Sequence, residues 1–221
     1  MIKDISVVLL GAGKSKRFDT NTLKQNVKIH DKRVIDYSVD FFRKHFNASK
    51  KYFVINKKIQ LKTLTENEHI LYGSTSRLKS LNNCLNYISS NNLKTKYLLV
   101  HDVARPVLNL ADIKKIIREI HKKVDGSTLG YPLTNAVKEV KNNTIYYNIH
   151  KSNLWSTFTP QIFKMEKLYQ SIKACLDEKY DVDDDIEALL LNNLKCSMIM
   201  SSPTNIKVTY KSDIDYIKKL L

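Results

Sequence analysis

Ile5-Ser6-Val7-Val8-Leu9-Leu10-Gly11-Ala12-Gly13-Lys14-Ser15-Lys16-Arg17-Phe18 is the stretch on which the fold turns. The apolar run from Ile5 to Leu10 suits a strand buried on both faces of a parallel sheet. The small residues that follow let the backbone approach a ligand, and successive N–H groups in such a turn can cradle phosphates. Two familiar phosphate motifs are excluded. Gly13-Lys14-Ser15 looks like the end of a P-loop, but the first glycine of that motif would fall at Val8. The dinucleotide fingerprint fails because its third glycine position is Lys16. Lys14, Lys16, Arg17 and then Lys24 bring cations to one place, and a glycine turn with clustered cations suits a nucleoside triphosphate.

Downstream, short β runs alternate with helical periodicity. Helices are predicted over Arg33 to Phe46, Ser76 to Ser89 and Asn109 to His121, and strands over Tyr52 to Ile55, Ile70 to Tyr72 and Tyr97 to Val100. This alternation predicts an α/β class, a single doubly wound and mostly parallel sheet in one domain spanning residues 1–221. Ligands then belong beyond the carboxyl ends of the strands, after Leu10, Tyr72 and Val100. The pattern changes after Leu129. Ala136 to Val140 and Thr144 to Ile149 read as a hairpin turning at Lys141-Asn142-Asn143, a projecting β-arm at about residues 134–153. A lone hairpin is marginal unless it packs on something, and a partner subunit is one candidate. The tail returns to helices at about Lys164 to Asp177 and Asp183 to Leu191, strands at Ser197 to Met200 and Asn205 to Thr209, and a last helix from Ser212.

The 43% apolar content is that of a chain with a core, and the longest apolar runs are too short to cross a membrane. Met1-Ile2-Lys3-Asp4 has none of the parts of a signal peptide. Cys84, Cys175 and Cys196 are odd in number and widely spaced, which argues against a disulfide framework or structural zinc and for a reducing cytoplasm. The formal charge of +15 raises a nucleic-acid binder as a rival reading. The lysines are spread along the chain, however, and no helix-turn-helix, zinc finger or aromatic ribonucleoprotein signature accompanies them. A cleft for anionic small substrates is served by the same charge.

His101-Asp102-Val103-Ala104-Arg105-Pro106 follows directly on a predicted strand. An aspartate at a strand's carboxyl end can hold a divalent metal such as Mg²⁺ across triphosphate oxygens, and Arg105 can bind an acceptor hydroxyl or phosphate. The competing possibility is an Asp102–Arg105 ion pair that merely caps the next turn. His101 is expected to pack or hydrogen-bond.

With these residues in view, the chain resembles the 2-C-methyl-D-erythritol 4-phosphate cytidylyltransferases and the related ribitol-5-phosphate cytidylyltransferases. Gly11-Ala12-Gly13 with Arg17 is similar to the family's alanine-glycine loop and catalytic arginine, and Leu23-Lys24-Gln25 to its Pro-Lys-Gln. Gly73 through Arg77 to Ser80 resembles its base-recognising turn, and His101 to Pro106 its His-Asp-x-Ala-Arg-Pro. Thr159-Pro160-Gln161, Asp183-Asp184 and Asn205-Ile206-Lys207-Val208-Thr209 match its remaining motifs, in order, to the C-terminus. The resemblance implies a Rossmann-like nucleotidyltransferase fold and transfer of the cytidylyl group of CTP onto a polyol phosphate. It implies Arg17, Lys24 and Lys207 as catalytic cations and Asp102 as the metal residue. Gly11, Ala12, Gly13, Lys14, Ser74, Thr75 and Ser80 are implied around the nucleotide. Arg105, Asn135, Ala136 and Lys151 fall where the family binds its acceptor, and a homodimer through the arm would bring Lys151 to the neighbour's site.

Leu23 replaces the family's proline, and two further departures fall where the family binds its acceptor. The family's Asp-Thr at the start of the arm is Asn135-Ala136, which removes a hydroxyl. Its arginine before Thr-Pro-Gln is Lys151, which keeps the charge but loses the planar two-bond fork. Lys138 or Thr134 are available to compensate. These changes also motivate a rival reading as a degenerate homologue, against which Arg17, Lys24, Asp102 and Lys207 all stand intact. Ala104, Leu154-Trp155 and Asp183-Asp184 lean toward methylerythritol phosphate as the acceptor, with ribitol phosphate as the alternative.

Overall fold

The computed structural model describes residues 4–19, 21–62 and 64–221. The opening Met1-Ile2-Lys3 therefore lies outside the described residues. In chain order the elements begin with β1 (Ile5–Gly11), a 3₁₀ turn (Lys24–Asn26), β2 (Lys28–Ile29), β3 (Lys32–Arg33) and α1 (Val34–His45). Then come β4 (Lys51–Ile55), β5 (Glu68–Tyr72), α2 (Arg77–Ser90), β6 (Tyr97–Asp102), α3 (Leu110–Ile120) and β7 (Gly126–Pro132). The chain finishes with β8 (Val137–Lys141), β9 (Thr144–Ile149), β10 (Trp155–Lys164), α4 (Met165–Asp177), α5 (Asp185–Leu191), β11 (Cys196–Met200) and α6 (Ser212–Lys218).

β1 is apolar from Val7 to Leu10 because both of its faces are covered. Val7 and Leu9 face a core shared with Ile35, Val39 and Phe42 of α1 and Ile113, Ile116 and Ile117 of α3. Val8 and Leu10 face the other core, with Leu81 and Leu85 of α2, Leu168 and Ile172 of α4 and Leu189 of α5. Val7, Val8 and Leu9 have no solvent exposure, and each such side chain contributes about 1.5–3 kcal/mol by burial. The seven-stranded sheet runs β11-β7-β10-β6-β1-β4-β5. Among the described residues β10 alone runs against the other six, pairing antiparallel with both β6 and β7. The mostly parallel, doubly wound sheet expected from the alternation is the sheet observed.

From β1 the chain builds outward through β4 to β5, then returns to β6 on the other side of β1. The crevice at the carboxyl ends of β1 and β6 is thus the switch point where α/β sheets bind ligands. Three loops converge there. Gly73 lets two of them meet: a Cβ at that position would sit 2.0 Å from the Ala12 Cβ and 3.0 Å from the Ser80 Oγ. Capping fixes where the helices beyond the loops begin. The Ser76 hydroxyl accepts from the Lys79 N–H, Asn109 caps α3, and Asp184 caps α5 through the Glu187 N–H.

The arm is a separate two-stranded sheet whose turn sits on Asn142 and Asn143, both with positive φ (48° and 62°), the geometry of a two-residue hairpin loop. It leaves Val140, Ile145, Tyr146 and Tyr147 exposed. One expected element is corrected. Asn205 to Thr209 is not a strand: its main-chain link to the region after β6 is the single bond from the Val208 N–H to the Ala104 carbonyl (2.8 Å), and no ladder forms. Two strands without a sequence signal, β7 and β10, complete the sheet. Gly126, Gly130 and Pro132 interrupt the β pattern of the first, and Pro160 together with a register shift between Phe158 and Gln161 interrupts the second.

The close approach at Gly73 gives the first prediction. Gly73→Ala forces the two loops apart and lowers unfolding stability by about 1–3 kcal/mol in chemical denaturation, the usual cost of overpacking. Unchanged stability would show that the loops separate freely.

Candidate active site

A cavity of about 280 Å³ opens at this crevice. Its floor is the carboxyl end of β1 and β6, and its walls are the glycine loop, the turn before α2, and Lys207 with Thr209 from the far end of the chain. Arg17, Lys24, Lys207, Ala12, Gly13, Lys14, Ser74, Thr75, Ser80 and Asp102 all line it. Gly11 lies just behind the lining as the last residue of β1.

The glycine loop is held by a residue that carried no role in the sequence reading. Gln25, 2% exposed, donates through Nε2 to the Gly11 carbonyl (2.8 Å) and the Gly13 carbonyl (3.0 Å). Its Oε1 accepts from the Ser15 hydroxyl (3.2 Å), whose oxygen in turn accepts from the Lys24 N–H (3.0 Å). Ser15 adopts a positive φ of 58° to close this circuit. With two loop carbonyls tied down on Gln25, the loop's shape is locked to the position of Lys24. The turn before α2 is built in the same way: the Ser80 hydroxyl accepts from the Ser74 N–H (2.9 Å) and donates to the Ser76 carbonyl (2.7 Å). Ser80 lines the cavity with its hydroxyl already engaged in shaping the turn.

Asp102, 7% exposed at the end of β6, is the electrostatic centre and the one carboxylate in the lining. Its Oδ2 accepts from Lys207 Nζ (2.5 Å) and its Oδ1 from Arg77 Nε (3.1 Å), so the alternative ion pair with Arg105 is not the one that forms. Burial alone would raise this carboxyl; the charges of Arg77, Lys207 and Arg105 outweigh it and hold Asp102 well below the usual carboxylate range. Lys24 donates to the Val208 carbonyl (2.5 Å), beside Lys207. Burial, and then the neighbouring charge of Lys207, bring its ammonium down to about 8, with Arg17 and Arg105 pushing the same way and Asp102 opposing. Among the described residues no group of three His, Cys, Asp or Glu side chains is placed to hold a metal.

Lys207 is carried by a loop that other motifs pin. Arg105 Nη1 donates to the Asn205 carbonyl (2.8 Å), and Asn205 Nδ2 donates to the Thr159 carbonyl (2.9 Å). Val208 is fully buried beside Phe18 and Ile217. Arg105 therefore sits beneath this loop, over the Phe158 ring at 5.6 Å, and does not line the cavity. Asn135, Ala136 and Lys151 do not line it either; all three are exposed at the root of the arm, where Lys151 Nζ donates to the Thr134 carbonyl and Lys138 to Asn148 Oδ1. His101 is fully buried between Thr159, Ser38 and the Arg105 carbonyl, and burial brings it down to about 3, a neutral packing histidine as expected.

Comparison with known proteins gives one answer. The family model described as 2-C-methyl-D-erythritol 4-phosphate cytidylyltransferase matches residues 5–221. A protein of that name from Wigglesworthia glossinidia brevipalpis is 29% identical over 218 residues, covering 96% of this chain and 93% of its own. Another from Acinetobacter baylyi is 27% identical, covering 97% and 92%. The crystal structure of the Francisella tularensis 2-C-methyl-D-erythritol 4-phosphate cytidylyltransferase superposes with a TM-score of 0.88 over 99% of this chain and 100% of its own, at 23% identity, a likeness of fold.

The depressed Lys24 ammonium sets a pH dependence. Below about pH 8 it is a cation facing the cavity; as pH rises through that value the charge is lost. Binding of inorganic tripolyphosphate, followed by calorimetry, weakens as pH rises through about 8, and Lys24→Gln removes that step. An affinity that stays flat across the same range in the wild type would contradict it.

Proposed function

Since this chain belongs to the 2-C-methyl-D-erythritol 4-phosphate cytidylyltransferase family, we infer that it transfers the cytidylyl group of CTP onto 2-C-methyl-D-erythritol 4-phosphate, releasing pyrophosphate. The observation that carries this reading is the convergence of Arg17, Lys24 and Lys207 on one cavity with the glycine loop and the turn before α2. An oxygen of the acceptor phosphate attacks the α-phosphorus of CTP. The bond from that phosphorus to the bridging oxygen breaks, and pyrophosphate leaves with the electron pair. Negative charge builds on the α-phosphate oxygens and the leaving group, so fixed cations lower the barrier. Lys24, held at the Val208 carbonyl, and Arg17, on the glycine loop, are placed for that charge. Lys207, next to Val208 in the chain, is poised by Asp102. The backbone of Ala12, Gly13 and Ser74, with Thr75, forms the surface offered to cytidine.

Asp102 is the residue that would hold Mg²⁺. It is the single carboxylate in the lining among the described residues, and both its oxygens already accept from Lys207 and Arg77. Asp102 would therefore hold this ion only through a remaining lone pair, with the triphosphate supplying the other oxygens, which is the ion's usual habit. Bound there, it neutralises triphosphate charge. The acceptor side we assign to the arm of a second copy. Exposed Val140, Ile145, Tyr146 and Tyr147 support packing of arm on arm, which would bring the exposed Lys151, Asn135 and Ala136 at its root toward a neighbour's cavity, Lys151 exchanging the Thr134 carbonyl for the acceptor. Lys151 would substitute a point charge for a fork at the acceptor phosphate. Three free cysteines fit a reducing cytoplasm, and among the described residues no helix is long and apolar enough to cross a membrane.

Pyrophosphate release from CTP is expected with methylerythritol 4-phosphate and not with ribitol 5-phosphate. Turnover with ribitol 5-phosphate alone would keep the chemistry and overturn the acceptor. Lys207→Ala is expected to cost about 10²–10³ in kcat, the scale for one lost transition-state donor. Sedimentation is expected to show a dimer that Tyr147→Asp dissociates with loss of activity; a fully active monomer would sink the arm's role.

A further inference from the structure

Asp185, the first residue of α5, is a fully buried carboxylate that neither lines the cavity nor takes part in the transfer described above. It receives both terminal nitrogens of Arg77: Nη1 donates to Oδ1 at 2.6 Å and Nη2 to Oδ2 at 2.8 Å. That two-bond fork is the strong, directional form of the arginine–carboxylate pair. With the far end held in this way, Nε donates to Asp102 Oδ1 at 3.1 Å. One guanidinium is thus gripped at its far end by one carboxylate and shows its near edge to another.

As glue this arrangement is a poor choice, because a buried ion pair is often no more stable than apolar groups of the same volume. What it supplies is direction. Burial pushes the Asp185 carboxyl up and Arg77 only partly offsets it, while the Arg77 guanidinium is pushed further up by the two carboxylates despite its own burial. α5 is itself anchored. Asp184, immediately before Asp185, takes Gln161 Nε2 (2.8 Å) from β10 and caps the helix through the Glu187 N–H (2.9 Å). The grip on Arg77 therefore comes from a rigid frame.

We propose that Asp185 is a positioning residue that acts through Arg77. By gripping the far end of the guanidinium it fixes the plane in which Nε meets Asp102 Oδ1, and Asp102 Oδ2 stays with Lys207. Without Asp185 both arms of the fork are free to close on Asp102, and Lys207 loses the counter-charge that holds it at the cavity wall. The cost falls on the chemical step, because Lys207 meets the charge that develops there.

The inference rests on the cytidylyl-transfer reading, which wild-type turnover tests separately. Steady-state pyrophosphate release and thermal melting are measured for the full chain carrying Asp185→Asn, Arg77→Lys, Arg77→Gln, and Arg77→Gln with Asp185→Asn. Asp185→Asn is expected to lower kcat about tenfold or more, with the KM for CTP within about threefold of wild type. Arg77→Lys, which keeps the charge and loses the fork, is expected to lower kcat similarly. In the Arg77→Gln background Asp185→Asn adds less than about twofold, since it has nothing left to act through. Three results would each overturn the proposal: wild-type kcat in Arg77→Lys, an equal cost of Asp185→Asn with and without Arg77, or an Asp185→Asn defect confined to melting temperature or to KM. Arg77→Lys carries the test alone if Asp185→Asn does not fold.

Discussion

A carboxylate with almost no access to water stays ionised only if cations replace the water, and at Asp102 two of them do so directly. Arg77 comes from the start of α2 and Lys207 from the end of the chain, so one buried charge ties together segments 25 and 105 residues away. Removing one partner from such a cluster leaves an uncompensated buried charge, which costs far more than the pair contributes as glue. The main-chain N–H of Asp102 is itself held by the Thr159 hydroxyl (3.0 Å), which links β6 to the antiparallel β10. The site is therefore a consequence of how β1, β6 and β10 lie side by side, and the loops around it are shaped to meet that geometry.

The same logic explains which functional residues are visible from the sequence and which are not. Arg17 and Asp102 announce themselves because each stands at the end of an apolar run, Lys24 as one more cation near the glycine turn and Lys207 only through the family motif it sits in, and all four line the cavity. Gln25, Arg77 and Asp185 had no assigned role, because each acts on a group that is distant in sequence or hidden: Gln25 on loop carbonyls, Asp185 on a guanidinium 108 residues away. A buried glutamine directly after a catalytic lysine, and a third aspartate after Asp183-Asp184, were the available signals. Arg105 shows a second contribution that its motif does not reveal. Its motif marks it as functional, and in the single chain it supports the Lys207 loop through the Asn205 carbonyl and lies outside the cavity lining.

The fold divides in the same way. β1, β4 and β6 are legible because strands buried on both faces carry continuous apolar runs, and the helices because their apolar faces repeat at helical spacing. β7 and β10 were not, since glycines and proline stand where β-formers would be and only neighbouring strands supply their order. Asn205 to Thr209 misled in reverse: it looks like a strand, yet its polar groups are claimed by Arg105 and Thr159 and its apolar Val208 by Phe18 and Ile217. The turn of the arm was readable because paired asparagines tolerate positive φ.

The central claim is that the cavity at the ends of β1 and β6 receives the triphosphate of CTP between Lys24 and Lys207, with Asp102 beneath. A crystal structure of the protein with CTP tests it most directly. The account predicts α-phosphate oxygens within about 3 Å of Lys24 Nζ and Lys207 Nζ, with cytosine against the Ser74 and Thr75 turn. A nucleotide bound elsewhere, or one whose phosphates leave Lys24 and Lys207 untouched, would contradict it.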